Sequence, residues 1–402
     1  MIAEHLEGGA KLLEEVTGFI YPNEIEIHWS ILIVVYPYIT GLVAGAFILA
    51  SLMKVFSVEA VQPTYRLSLL TALAFLLVAP IPLVLHLGHP LRGFEIFLTP
   101  NLTSAMAMFG FVYAWYLMGV LLLEIWFEYR RDLVLRAQHE PPPMRWIYRA
   151  LSLLSNDISE KALAFDRKAI KLITVIGIPS AFLLHGYVGF IFGSVKANPW
   201  WSSVLMPIVF LMSAIVSGIA LIVLLYMVLT ALRNEPIDMR CLDTITSYLF
   251  YAVIVDFSLE ALDFIHRLYQ SEESVKILGK LITHKLAISL LVLQILLGML
   301  IPLAILVLAK SLKFNDDLRK LLYFTSAVLI QIGIFSTRWN VVIGGQLFSK
   351  SFRGLMTYKM EVVGIEGLLA TLVLLAVPFL VLAILLRLLP TKPFEEQPSN
   401  VT

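Results

Sequence analysis

Uninterrupted apolar runs dominate this chain, where a soluble protein would show alternation. They fall near residues 28–53, 66–87, 103–127, 169–192, 202–231, 241–266, 285–309, 318–339 and 362–389. A helix needs about 20 apolar residues to cross the hydrocarbon core of a bilayer. The pattern therefore predicts an all-α integral membrane protein of about nine transmembrane helices, within a range of eight to ten. Pro37, Pro80, Pro82, Pro179, Pro207, Pro302 and Pro378 lie inside the runs. They predict kinks, because neighbouring helices can satisfy the carbonyls that a proline frees. Composition agrees: 59% of residues are hydrophobic, 15% are charged and mean hydropathy is +0.85.

An odd number of spans puts the termini on opposite faces. Lys11, Arg92, Lys196 and four basic residues each in 267–285 and 338–359 put 11 on the N-terminal face, leaving 19 of 30 on the other. The richest connection, residues 128–168, is expected to be a solvated basic segment on the cytoplasmic side, with a docking surface for a partner or anionic lipid as the alternative. That orientation makes 1–27 an extracytoplasmic segment, with no basic, apolar leader pattern; Ile2, Leu6, Leu12, Leu13 and Val16 suit a surface helix. Two four-helix bundles follow, 28–192 and 202–339, then an extracytoplasmic loop at 340–361, a closing helix at 362–389 and a cytoplasmic tail at 390–402. A faint repeat supports the pairing of bundles: "GLVAGAFIL" (41–49) aligns with "AIVSGIALI" (214–222). Small residues match small residues there: Gly41, Ala44 and Gly45 against Ala214, Ser217 and Gly218, the residue type that lets membrane helices approach closely.

Threading the spans gathers polar residues toward the outer side. His28 opens the first span beside Glu24 and Glu26, His86 and His89 end the second with Arg92 and Glu95 just beyond, and His185 lies in the outer half of the fourth. His266 ends the sixth span, His284 begins the seventh and Arg338 ends the eighth. The sixth span carries Asp256, Glu260 and Asp263, whose steps of four and three place them on one helical stripe. A charge at bilayer depth costs roughly 2.5–3.5 kcal/mol even on a lenient scale. Three on one stripe imply a wet, protein-lined cavity, although an ion pair such as Asp263 with Arg338 would account for one. Glu124, near the inner end of the third span, reads as an interfacial residue and is the sole hint of an inward continuation.

Cys241 is the only cysteine, so this chain holds no disulfide framework, no thiolate-ligated iron–sulfur cluster and no c-type haem. Clustered imidazoles and acids beside lipid suit quinone chemistry, in which two electrons move with two protons. The ring oxygens need hydrogen bonds, titratable groups must lead to water, and the tail needs a cleft between helices. Electrons would then pass to a partner that holds the metals. A b-type cytochrome, with His86 and His185 as the only plausible ligand pair, and a proton-coupled secondary transporter are the competing readings. Nothing in the pattern suggests nucleic acid.

The stretches "EIHWSILIVVYPYITGLVAGAF", "LHLGHPLRGFEIFLTPNLTSAMAMFGFVYAWY", "FSTRWNVVIGGQ" and "RLLP" resemble the NrfD-like family, the integral membrane subunits of polysulfide reductase and its relatives. The resemblance covers most of the chain. The family's approximate Asp-Leu-Gly-Arg-Pro appears here as His86-Leu87-Gly88-His89-Pro90, so an imidazole stands where relatives carry a carboxylate. The resemblance implies a subunit of a respiratory oxidoreductase complex that binds menaquinone or ubiquinone near the extracytoplasmic face and is active only with redox partners. Those would be a ferredoxin-like iron–sulfur subunit on that side and further cytochrome and membrane subunits. By position in the family pattern, His28 and Tyr187 would line the quinone pocket, His185 and Asp263 match recurring residues of hydrogenase-linked relatives, and Arg338 with Asn340 fits an Arg-x-Asn segment. Length and "LTSAMAMFGFVYAWY" look closest to the DsrP-type subunit of a sulfite-reduction-linked complex, which implies anaerobic sulfur respiration. His28, His86, His89, Arg92, His185, Tyr187, Asp256, Glu260, Asp263 and Arg338 are thus the expected quinone and proton-path residues.

Overall fold

The computed structural model describes residues 17–25, 27–269 and 274–394. Most of the N-terminal segment, Glu26 and the end of the C-terminal tail lie outside the described residues. Among the described residues eight helices are long and apolar enough to cross a membrane: α1 (Ile31–Lys54), α2 (Glu59–His86), α3 (Ala105–His139), α4 (Glu160–Gly193), α5 (Met206–Leu232), α7 (Ala287–Ser311), α8 (Asp316–Gln346) and α9 (Leu368–Leu388). Between α5 and α7 runs α6 (Met239–Tyr269), 31 residues long, which carries the acidic stripe. It is as long as the others but less apolar, and with it the described residues hold nine long helices.

α1 packs against α2 and α4, and α3 against α2 and α4; in the second set α5 meets α6 and α8, while α7 meets α6 and α8. The two sets join along α1 and α5, and α9 lies on α2. α1 is accordingly buried almost from end to end. The seam follows from the small residues of the repeat, which pack against each other. A Cβ at Gly45 would collide with the Ala214 carbonyl and come within 2.8 Å of the Gly218 Cα. Gly298 of α7 and Gly333 of α8 make a second contact of this kind.

Several boundaries depart from the apolar pattern. α2 breaks at Pro80 and resumes as Ile81–His86. α3 passes through a π-helical stretch, Tyr116–Leu121, and α7 is π-helical over Ala287–Leu300. The segment 340–361, expected as a loop, begins as the end of α8 and contains the strand β2 (Arg353–Leu355), antiparallel to β1 (Thr17–Phe19). The 128–168 connection is also more ordered than a solvated loop: α3 continues to His139, a short helix Met144–Leu151 packs on it, and α4 starts at Glu160. Arg130 is buried there against Asp166, and Arg66 reaches Glu128 at 2.9 Å and Asp132 at 2.7 Å. Positive charge counted as free is thus partly neutralised within the fold.

Candidate functional site

Where α2 breaks at Pro80, it leaves a gap against α1, α3 and α4. The gap is a cavity of about 620 Å³ with almost wholly apolar walls, among them Ile33, Leu83, Ile96, Phe109, Val188 and Phe192. Phe94, Phe97 and Met106 on its rim are exposed, so the cavity opens to the surface there. Three features relieve the apolar lining. The Tyr36 hydroxyl is buried and makes no hydrogen bond. His86 places Nδ1 3.0 Å from Glu366, just before α9. Arg92 stands at the edge, largely exposed. A volume of this size with few polar groups suits a flat apolar ligand carrying one or two hydrogen-bonding atoms.

One layer behind Tyr36 lies a buried polar network. Thr40 gives its hydroxyl proton to the Tyr36 carbonyl at 3.0 Å. Its oxygen is therefore left to accept from His185 Nδ1 at 3.3 Å. His185 is then a neutral imidazole whose Nε2 accepts from Arg338 Nη2 at 3.2 Å. Both ring nitrogens of His185 are engaged within the network, and His86 bonds to Glu366 instead. Gly41 makes room for the imidazole: a Cβ there would come within 3.2 Å of it. Arg338 is fully buried, donates to Ser213 at 2.6 Å and lies 4.2 Å over the Phe210 ring. Its Nε and Nη1 have no hydrogen-bond partner. Asp256 and Glu260 are the charges that face it.

The donors of the second set all point one way. Ser289 donates to Asn340 at 2.6 Å, Asn340 to Gln294 at 2.7 Å, and Gln294 to Glu260 at 2.8 Å. Such a chain ends naturally on an ionised carboxylate. Asp256 keeps one oxygen unpartnered. Glu260, Asp263, Gln294 and Asn340 also line a hollow of about 50 Å³, large enough for water.

The expected residues therefore divide among separate places. His86 and Arg92 border the apolar cavity. Tyr187 is one ring removed from it, stacked on Phe109 at 6.0 Å. His185, Arg338, Asp256 and Glu260 form the buried network. Asp263 pairs with Arg267 at 2.7 Å, not with Arg338, and accepts from Ser203. His28 is exposed in a surface groove with Glu24 and Lys350, on the far side of Trp29 from the cavity. His89, His266 and His284 are exposed, the last bonded to its own turn. Convergence on a single cleft is thus corrected to a cavity with a network behind it. Glu124 is not interfacial: it is fully buried among α2, α3 and α4. Sequence reasoning passes over Tyr36, Glu366, Gln294 and Ser213, which are ordinary residues until the fold sets them beside a cavity or a charge. Among the described residues no cluster of three or more His, Cys, Asp or Glu side chains could hold a metal ion.

Fold and site together define a polytopic helical membrane protein with an apolar cavity open to its surface and a charged network buried behind it. The family profile "Polysulphide reductase, NrfD" matches residues 22–350, and the chain belongs to that family. It is 35% identical over 206 residues to the C subunit of the selenate reductase of Mesobacillus selenatarsenatis, covering 49% of this chain and 47% of that protein. It is 30% identical over 203 residues to a putative dimethyl sulfoxide reductase membrane subunit of Halobacterium salinarum, covering 48% and 42%. Protein NrfD of Escherichia coli is 27% identical over 195 residues, covering 48% and 57%. The alignments span about half the length of these curated relatives.

Proposed function

We propose that this chain is the quinone-binding membrane subunit of a multi-subunit respiratory oxidoreductase. It exchanges electrons between menaquinone or ubiquinone and a ferredoxin-like iron–sulfur subunit on the extracytoplasmic side, with further cytochrome and membrane subunits in the complex. Relatives named as subunits of selenate and dimethyl sulfoxide reductases support the membrane-subunit role. A sulfur compound as the partner's substrate follows from the resemblance alone. The protein would lie in the cytoplasmic membrane, N-terminus outside and C-terminus inside, as the distribution of basic residues favours.

The observation that carries this reading is the unpartnered Tyr36 hydroxyl beside an apolar cavity whose rim holds the His86–Glu366 pair. A quinone ring fits between them, one oxygen toward Tyr36 and the other toward His86, with its tail leaving past Phe94 and Phe97. On oxidation of the quinol its two protons need acceptors. His86 with Glu366 offers one route to water at the rim. The network behind Thr40 offers another, because the single guanidinium of Arg338 faces two carboxyl groups, which are neutral together with it when they share one proton. The hollow beside Glu260 and Asp263 then leads outward.

Tyr36→Phe and His86→Ala should each raise KM for quinol roughly tenfold in the assembled complex, the value of one hydrogen bond of about 1–1.5 kcal/mol. Electron transfer from the partner to an artificial acceptor should not change. Steady-state kinetics with a water-soluble quinol checks this, and an unaltered KM in both variants would remove the ligand from this cavity.

A further inference from the structure

We propose that Glu124 is a proton-binding site in exchange with the face that carries the 128–168 connection, sealed off from the Arg338 network. Its Oε1 accepts from Tyr65 at 3.2 Å and lies 2.9 Å from the Thr174 hydroxyl, while Oε2 is buried with no partner. Thr174 has a single hydroxyl proton and also lies 2.8 Å from the Ile170 carbonyl. A helical threonine in this geometry commonly gives its proton to that carbonyl. The one proton serves either the carbonyl or Glu124, and when the carbonyl takes it the contact with Glu124 is completed by a proton on the carboxyl. Among the described residues no cation touches Glu124, which is fully buried, and an unpaired buried carboxylate is among the costliest groups a fold can hold. A bound proton removes that charge.

Among the described residues, the polar groups around it lead toward one face. The groups turned toward Glu124 are Lys54 from α1, Tyr65 from α2, Thr174 from α4, and Tyr116 and Glu128 from its own helix. Lys54 stands 4.4 Å over the Tyr65 ring and 3.0 Å from Glu128, and both charged groups are partly exposed. Arg66 closes the mouth through Glu128 and Asp132. Toward the other face the path stops. Thr174 and His185 share a buried face of α4 but lie about 16 Å apart along it, and Phe47, Val120, Ala181 and Leu184 between them are wholly buried. The exchange is a protonation, water at that face giving a proton to the carboxylate and taking it back.

The test uses membranes containing the whole complex. Treatment with dicyclohexylcarbodiimide, which attacks protonated carboxyl groups in apolar surroundings, should modify the Glu124 peptide, more at lower pH. No modification at any pH would overturn the proposal. In infrared spectra of the complex, a carbonyl-stretch band of a buried carboxylic acid should fade as pH rises, and that band should be missing from the isosteric Glu124→Gln variant. A variant with the parent's band and the parent's pH dependence would limit Glu124 to a structural hydrogen bond and overturn the proposal.

Discussion

Arg338→Ala should destabilise the chain by about 3–5 kcal/mol, the range for removing one partner of a buried charge set, and abolish quinol-linked electron transfer. The guanidinium is the one cation facing Asp256 and Glu260 among the groups described, and it also supplies hydrogen bonds to His185 Nε2 and Ser213. Without it two carboxyl groups share an apolar core with no counter-charge, and His185 loses the donor that fixes its tautomer. Lysine keeps the charge but not the planar stack over Phe210 or the forked donors, so Arg338→Lys should recover part of the stability. Thermal unfolding in detergent, followed by size-exclusion profile, reads the series. An alanine variant that melts with the parent would show that the network is not charge-balanced by Arg338.

Gly45→Leu should be as damaging by a different route. Overpacking a tight interface typically costs about 1–3 kcal/mol where side chains can move aside. Here the obstacle is backbone, the Ala214 carbonyl and the Gly218 Cα, so α1 and α5 must separate along the seam that joins the two sets of helices. His185, lodged against Gly41 one turn away, would lose its register with Arg338. The expected outcome is a chain that inserts but fails to assemble with its partners, with Gly45→Ala intermediate. Blue-native electrophoresis of membranes checks assembly, and a leucine variant that assembles normally would contradict the packing described.

The spans are legible in the sequence because hydrophobic thickness is a one-dimensional constraint: each apolar run needs only its own length. α6 is legible for the opposite reason, since charges as expensive as Asp256, Glu260 and Asp263 must find a protein interior. The small residues around Gly45 can also be read, although they suggest a repeat and not that its two copies touch. Partner choice is less legible. Asp263 matches Arg338 on paper because both spans end at the outer side, whereas Arg267, one helical turn away, takes it. The contact of His185 with Arg338 joins residues 153 apart, and no local pattern encodes it. Tyr36 is one tyrosine in an apolar run, and only the break of α2 at Pro80 gives its hydroxyl a cavity. Glu124 reads as interfacial because the apolar run ends near 127, while the helix continues to His139 and packs against α2 and α4, which bury that residue.

The central claim is that a quinone occupies the cavity between α1, α2, α3 and α4. Photolysis of membranes with an azido-naphthoquinone, followed by peptide mapping, tests it most directly. Label on the Pro80–Tyr113 segment and around Tyr36, displaced by excess menaquinone, is the predicted result. Saturable label confined to α6 and α7, with none on these segments, would contradict it.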